Sequence, residues 1–162
     1  MLFAIGSQVA HPQKQVVCIV GDGVVGLNIQ EFNTMVRHNL PVLTIVLNNK
    51  AWGMCAHGQQ SMFGDNRLVV TKLGECRYEQ VAEGFGCDGA LVDKLEDLGP
   101  AVKQALASNR PACINVITDL DAVFGDTSSS KASKTPTKKP SNKNPDKKED
   151  VEMPFYDNLK QE

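Results

Sequence analysis

Two short polar segments, each following an apolar run, constrain the fold of this chain more than any other feature. Residues 21–23 (Gly-Asp-Gly) follow the apolar residues 16–20, and residues 48–49 (Asn-Asn) end a second apolar run at residues 42–47. Between them, residues 29–39 place apolar side chains at spacings of three and four, which predicts one helix. The resulting strand–loop–helix–strand unit holds a carboxylate inside a glycine loop and two amides at the end of the next strand.

The carboxylate of Asp22 is the unusual feature of this unit. Glycines after a strand allow a tight turn and a close approach of the backbone to a phosphate, and the following helix directs its N–H groups to the same place. A carboxylate beside a diphosphate is repulsive unless a divalent cation lies between them. Because Mg²⁺ prefers oxygen ligands and is usually shared with substrate phosphates, Asp22 and an amide oxygen of Asn48 or Asn49 form a candidate site for Mg²⁺ and a diphosphate.

Two other interpretations of the glycine segment are open. An Asp-Gly pair can form a hairpin turn, but the residues that follow are helical rather than alternating. The spacing Gly21-x-Gly23-x-x-Gly26 also matches the dinucleotide-binding fingerprint of oxidoreductases. That fingerprint expects an acidic residue for the ribose where residues 48–49 stand, and it leaves Asp22 facing a pyrophosphate without a cation.

The arrangement of Gly-Asp-Gly at residues 21–23, 24 intervening residues and then Asn-Asn resembles the motif of thiamine-diphosphate enzymes. Residues 4–12 are similar to the corresponding segment of acetolactate synthases and their relatives. Segments within residues 48–60 and residues 109–116 resemble the acetolactate synthase and benzaldehyde lyase-like branch. The resemblance covers about residues 2–120 and implies the C-terminal, diphosphate-binding domain of these enzymes.

This resemblance implies a particular set of ligands. It implies that Mg²⁺ is held by the Asp22 carboxylate, the Asn49 side chain and the backbone carbonyl of Ala51. It implies that thiamine diphosphate is bound by residues of both motifs, which are Gly21, Asp22, Gly23, Val24, Asn49, Ala51, Trp52 and Gly53. Trp52 and Gly53 are expected to shape the loop that closes over the metal, although a buried anchor without ligand contact is equally open for Trp52.

The resemblance also implies the chemistry and its limits. Related enzymes are carbon–carbon lyases, carboligases and 2-oxo acid decarboxylases that act on small 2-oxo acids, aldehydes or hydroxyketones. Their activating glutamate lies on a different domain, and the aliphatic residue that supports the cofactor precedes the glycine loop. We therefore expect no catalytic residue in this chain, no activity without a pyrimidine-binding domain or subunit, and assembly into an oligomer. A fragment, a split subunit and a non-catalytic remnant or interaction protein all remain open.

The rest of the chain continues the alternation of helices and strands. Helices are predicted at residues 78–85 and 95–107, and strands at residues 89–92 and 113–117. The apolar strands lack a polar alternation, which is typical of parallel strands covered on both faces. The sequence thus predicts an α/β fold, a doubly wound and mainly parallel sheet with helices on both faces.

Composition divides the 162 residues into three parts. Residues 1–124 are expected to form the binding domain, which we expect to be truncated at its N-terminus because Met1 falls within a helical pattern. Residues 125–150 are rich in Lys, Ser and Pro and lack aromatic side chains, so a disordered linker is predicted. Residues 151–162 add a short apolar segment. A nucleic-acid tether is disfavoured because no aromatic residues interleave the lysines and the net charge is −2.

The cysteines and the hydropathy of the chain give an indication of its cellular compartment. The five cysteines form no Cys-x-x-Cys pair, and no signal peptide precedes them. Their spacings with histidine fit no common zinc site. No apolar run is long enough to span a membrane. These features favour a reducing, cytoplasmic location, with an organelle not excluded.

Overall fold

The computed structural model describes residues 1–64 and 68–120, and the structural statements below refer to these residues. The elements along the described chain are α1 (Leu2–Ala10), β1 (Val17–Gly21), α2 (Asp22–Leu27), α3 (Glu31–Arg37), β2 (Leu43–Asn48), α4 (Gly53–Phe63), α5 (Tyr78–Gly84), β3 (Asp88–Val92), α6 (Leu95–Ser108) and β4 (Ala112–Ile117). All four described strands and the helices α5 and α6 begin and end within one residue of their predicted bounds.

The four described strands form one parallel sheet in the order β1-β2-β4-β3. In this register Gly21 is paired with Leu47, and Asn48 is paired with Ile117. The carboxyl ends of β1, β2 and β4 therefore meet at one edge of the sheet. Both polar segments follow strands that end there, which is where open α/β sheets bind ligands.

Helices cover the sheet on both faces, as predicted. On one face α2, α3 and α5 bury side chains such as Phe32 and Ala82 against Val46 of β2 and against Val42, which precedes this strand. On the other face α6 packs against β2, β3 and β4. Consecutive strand residues thus face two cores, which is why the strands show no polar alternation. Each fully buried aliphatic or aromatic side chain stabilises the fold by about 1.5–3 kcal/mol.

The helix predicted at residues 29–39 corresponds to α3, which is shorter (Glu31–Arg37), and a helix that was not predicted precedes it. A first helix, α2, begins at Asp22 directly after β1, and the chain turns at Asn28 before α3 begins. The glycine segment is therefore the start of a helix rather than a free loop. Asp22 is the first residue of α2, and its carboxylate accepts the N–H of the next residue, Gly23, at 2.9 Å, which pairs one buried donor of the first turn.

Helix α4 has no counterpart among the predicted elements. Within this helix Ala56 is the only buried residue, so its sequence shows no apolar stripe. A helix with so weak a periodicity cannot be distinguished from a loop by its pattern alone. Its position in the fold is nevertheless important, because its first residues line the candidate site described below.

Edge strand β1 leaves part of the α6-facing side of the sheet uncovered. Ile19 is 65 % exposed, and Val17 beside it is also exposed. Further exposed apolar side chains lie on α1, including Phe3 and Val9. Isolated exposed apolar residues are ordinary, but two on the same face of an edge strand, as at Val17 and Ile19, are typical of a surface that contacts another segment or chain.

The predicted linker at residues 125–150, the apolar segment at residues 151–162 and the domain boundary near residue 124 lie outside the described residues. No helix in the described part of the chain is both long and apolar enough to cross a membrane.

Candidate functional site

A cavity of about 460 Å³ opens at the carboxyl ends of β1, β2 and β4. Seven of the eight predicted cofactor-binding residues line this cavity, namely Gly21, Asp22, Gly23, Val24, Asn49, Trp52 and Gly53. The eighth, Ala51, is buried and lies directly behind the cavity, where its N–H group contacts Asp22. The two motifs recognised in the sequence are thus brought together by the fold.

Asp22 connects the two motifs. Its side chain is buried, and its second oxygen, Oδ2, accepts the Ala51 N–H at 3.1 Å. The Oδ1 of Asn49 accepts the same N–H, also at 3.1 Å. The carboxylate of one motif and the amide oxygen of the other therefore converge on a single backbone nitrogen, and both side chains line the cavity.

Burial raises the pKa of Asp22 above its ordinary value, although backbone N–H groups of Gly23, Ala51 and Lys50 partly offset the effect. None of the ion pairs among the described residues involves this carboxylate. The charge of ionised Asp22 is therefore supported by backbone dipoles without a neighbouring cation. A divalent cation beside the carboxylate would stabilise its charged form and would lower the pKa of Asp22 instead of raising it.

Where the two motifs meet, the candidate metal donors are oxygens. The Asp22 carboxylate and the Asn49 amide oxygen both accept the Ala51 N–H, and Asp119 adds a second carboxylate to the cavity lining. The described residues contain no cluster of three His, Cys, Asp or Glu side chains able to hold a metal. Such an oxygen set suits Mg²⁺, which commonly takes one or two protein groups and completes its shell with phosphate and water. The residues present fit a Mg²⁺–diphosphate group.

The turn between β2 and α4 directs the backbone at Ala51. The N–H of Trp52 donates to the Thr71 carbonyl at 2.8 Å, and the N–H of Leu73 donates to the Lys50 carbonyl at 2.7 Å. These two hydrogen bonds form an isolated antiparallel bridge around Ala51. Since the bridge uses the groups of the neighbouring residues, it leaves the Ala51 carbonyl outside the ladder, as a metal ligand requires.

Two glycines permit close contacts within the site. A Cβ atom on Gly23 would lie 2.8 Å from ring carbons of Trp52, and a Cβ on Gly53 would lie 2.6 Å from the Nδ2 of Asn49. The indole therefore packs directly on the Gly23 backbone while also lining the cavity. Trp52 is half-buried. Whether it contacts the cofactor stays a prediction.

The cavity has five further lining residues that no sequence pattern predicted. They are Leu47, Met54, Cys55, Thr118 and Asp119. The last two directly follow β4, so the rule that ligands bind at the carboxyl ends of neighbouring parallel strands could have indicated them once the strand order was known. His57 of α4 lies outside the lining, and its Nε2 is 2.7 Å from the Leu120 carbonyl.

The fold and the site define a cofactor-binding domain, and comparison with known proteins identifies its family. The model of the family "Thiamine pyrophosphate enzyme, C-terminal TPP binding domain" matches residues 1–116. The chain belongs to this family. The assignment confirms the predicted α/β fold class and the cofactor class, thiamine diphosphate with Mg²⁺, and it favours that interpretation over the dinucleotide fingerprint.

Individual relatives support the same branch. The chain is 38 % identical over 122 residues to "Acetolactate synthase large subunit IlvG" of Mycobacterium tuberculosis, covering 75 % of this chain and 22 % of that one. It is 36 % identical over 102 residues to a sulfoacetaldehyde acetyltransferase of Castellaniella defragrans, covering 63 % and 17 %. The resemblance to the acetolactate synthase-like branch is confirmed.

A solved structure shows the same fold. The thiamine diphosphate-dependent 4-hydroxybenzoylformate decarboxylase of Rhodococcus jostii RHA1 aligns with a TM-score of 0.68 and 31 % identity. The alignment covers 73 % of this chain and 22 % of that one. The chain therefore spans about a fifth of the length of the relatives it matches, and corresponds to one domain of them.

Proposed function

We propose that this domain binds the diphosphate of thiamine diphosphate through a Mg²⁺ ion held by Asp22, Asn49 and the Ala51 carbonyl. The observation that carries the proposal is the convergence of a buried carboxylate and an amide oxygen on the Ala51 N–H, next to an open cavity. A buried carboxylate without a cation is unfavourable, and its position beside a phosphate would be more so. Mg²⁺ satisfies both groups at once.

The remaining predicted residues would bind the rest of the diphosphate group. The backbone of Gly21, Gly23 and Val24 faces the cavity and would approach the phosphates, while Trp52 and Gly53 would enclose the metal from the opposite side. The bound cofactor supplies an electron sink for carbanion chemistry. This chain's own contribution would be to hold and orient the diphosphate end.

A titration tests the metal dependence directly. Trp52 is the only tryptophan in the chain and packs on Gly23, so its emission should report binding at the site. We expect thiamine diphosphate to change this emission and to release heat in a calorimeter when Mg²⁺ is present, and to do neither in EDTA. Equal affinity in both solutions would contradict the proposal, and metal-independent binding of NAD would favour a dinucleotide-binding oxidoreductase domain.

We further propose that the domain acts within a lyase, carboligase or 2-oxo acid decarboxylase on small 2-oxo acids, aldehydes or hydroxyketones. It would do so together with a pyrimidine-binding domain or subunit, in an oligomer. The support is that the chain spans about a fifth of its relatives and that apolar side chains are exposed on β1 and α1, including Ile19 and Phe3. A partner that covers these side chains would remove apolar surface from water.

Proton exchange at C2 of bound thiamine diphosphate tests the need for a partner. The carboxylates that line the cavity are Asp22, proposed here as a metal ligand, and Asp119. We expect the chain alone, loaded with Mg²⁺ and cofactor, to exchange the C2 proton at the rate of the free cofactor, as measured by NMR. Adding a pyrimidine-binding domain should accelerate exchange.

The two other outcomes of this experiment are equally informative. Exchange by the chain alone far above the free-cofactor rate would show that an activating group is present here. Exchange that no pyrimidine-binding partner accelerates would favour a non-catalytic role for the domain.

A further inference from the structure

We propose that three buried polar side chains, Glu79, Asn115 and Asn48, form a relay that positions the metal-binding turn. The proposal rests on the function proposed above, because it assigns a positioning role toward the same Mg²⁺ site. We call these three residues the Glu79–Asn115–Asn48 relay. None of them lines the cavity. The sequence pattern offered Asn48 as an alternative to Asn49 for the metal site, and it assigned no role to Glu79 or Asn115.

The relay runs through the sheet and into one helix. Asn48 ends β2, and its Nδ2 donates to the Oδ1 of Asn115 on β4 at 3.1 Å. The Nδ2 of Asn115 donates to the Oε2 of Glu79 on α5 at 2.8 Å. All three side chains are at most 3 % exposed, and the other oxygen of Glu79 is paired with the half-exposed Arg77. A continuous series of hydrogen bonds therefore leads from the surface to the end of β2.

The carboxylate determines the direction of every hydrogen bond in this series. A carboxylate can only accept, so Asn115 must turn its NH₂ group toward Glu79 and its oxygen toward Asn48. Asn48 must then turn its own NH₂ group toward Asn115 and its oxygen away from it. The carbonyl of Cys76, which accepts from both NH₂ groups at 3.3 and 3.4 Å, requires the same orientations.

The oriented oxygen of Asn48 meets the turn that carries the proposed metal ligands. It accepts the N–H of Lys50 at 3.1 Å, and Lys50 has a φ of 59°, in the left-handed region that non-glycine residues adopt with strain. The next N–H along the chain, that of Ala51, is the group on which Asp22 and Asn49 converge. A reversed or missing amide at Asn48 would leave the turn without this support.

Buried polar groups of this kind are unfavourable unless every partner is satisfied, and an apolar core could fill the same space. The relay is therefore better explained by positioning than by stability. The relay also explains why two adjacent asparagines face different groups. Asn48 is turned into the sheet by Asn115, which leaves Asn49 as the amide that faces Asp22 and the cavity.

A polarity swap tests the relay in the full chain. Asn115→Asp places a second carboxylate against Glu79. The double variant Asn115→Asp with Glu79→Gln instead moves the single carboxylate from residue 79 to residue 115. The new NH₂ group at residue 79 and the NH₂ group of Asn48 can then both donate to it. We expect the apparent Mg²⁺ affinity, followed by Trp52 emission with saturating thiamine diphosphate, to fall at least about tenfold in Asn115→Asp. The double variant should recover most of this loss.

Two further measurements separate positioning from stability. Hydrogen exchange of the Lys50 amide in the cofactor-free chain should accelerate in Asn115→Asp and slow again in the double variant. Ile114→Ala serves as the matched control, because this neighbouring β4 side chain is buried on the opposite face, in the core formed with α6. It should lower the stability of the fold while leaving Mg²⁺ affinity and relative Lys50 protection unchanged.

The outcomes are distinct. Unchanged Mg²⁺ affinity and unchanged Lys50 exchange in Asn115→Asp would overturn the relay, and so would a double variant that recovers neither. If Asn115→Asp does not fold, Glu79→Gln is the single variant to test. We expect it to lose less Mg²⁺ affinity than Asn115→Asp, and we expect the double variant to recover that loss. If the wild-type chain binds no Mg²⁺ and cofactor, the proposed function fails, and Lys50 exchange alone then decides whether the relay holds the turn.

Discussion

Replacing Asp22 by Asn is expected to abolish Mg²⁺-dependent binding of thiamine diphosphate. The substitution keeps the shape of the side chain but removes the anionic oxygen that would bind the metal, so the diphosphate loses its charge compensation. We expect an affinity loss of at least about 100-fold, which corresponds to about 2.7 kcal/mol. Calorimetric titration with cofactor at fixed Mg²⁺ measures this loss.

The same variant should change the pH dependence of stability in the cofactor-free chain. Burial raises the pKa of Asp22 in the folded state, so the unfolded chain releases this proton at lower pH than the folded chain does. In wild type, protonated Asp22 therefore contributes stability that is fully present below its unfolded pKa near 3.8. This contribution is lost as the pH rises through the pKa of Asp22 in the folded state. Asp22→Asn lacks this loss, so its stability relative to wild type should increase through that interval.

Thermal unfolding between pH 3 and 8, with and without Mg²⁺ and cofactor, checks both parts of this prediction. Asp93→Asn is the matched control, because Asp93 is exposed and lies outside the cavity lining. It should retain both the binding and the pH dependence of wild type. A chain with Asp22→Asn that binds the cofactor in Mg²⁺ with the affinity of wild type would rule out the proposed ligand set.

Replacing Gly23 by Ala is expected to destabilise the fold and to weaken cofactor binding, although alanine is the better helix former. The new Cβ would lie 2.8 Å from two ring carbons of Trp52, so the indole would have to leave its place on the α2 backbone. Such overpacking costs about 1–3 kcal/mol, which exceeds the gain of roughly 1 kcal/mol from helix propensity. Urea unfolding followed by circular dichroism measures the difference.

Gly26 provides the control within the same helix. A Cβ at this position meets no atom within 4 Å, so Gly26→Ala should show only the propensity gain of about 0.5–1 kcal/mol. Combining Gly23→Ala with Trp52→Leu should recover part of the destabilisation, because the two side chains would compete for one space. If Gly23→Ala and Gly26→Ala had equal effects on stability, the close packing of Trp52 on Gly23 would be wrong.

Much of the fold was determined by local patterns in the sequence. Apolar runs ended by polar or glycine segments mark the strands, and spacings of three and four mark α5 and α6, so the predicted bounds lie within one residue of the observed ones. The alternation of strands and helices then implies a parallel sheet whose carboxyl ends share an edge. These local signals are sufficient to bring residues 21–24 and 49–53 to one cavity.

Local patterns fail where an element has no apolar stripe or where a turn is stabilised by one side chain. Helix α4 buries only Ala56, so it has no periodicity to detect. Helix α2 begins within the glycine segment, ahead of the helix predicted at residues 29–39, and its first turn includes the hydrogen bond from the Gly23 N–H to Asp22. Neither feature follows from hydrophobic spacing.

The sequence by itself determined which residue types reach the site, whereas only the tertiary structure decided what each of them contacts there. Hydrophobic patterning does not distinguish the two asparagines at residues 48–49, and only the family resemblance favoured Asn49 as a metal ligand. In the structure Asn48 is turned toward Asn115, 67 residues away, while Asn49 accepts the same N–H as Asp22. The physical reason is that side-chain periodicity specifies a face of a strand or helix, while contacts across the sheet depend on strand order and register. Strand order and register are set by the packing of the whole core, in which β4 lies between β2 and β3.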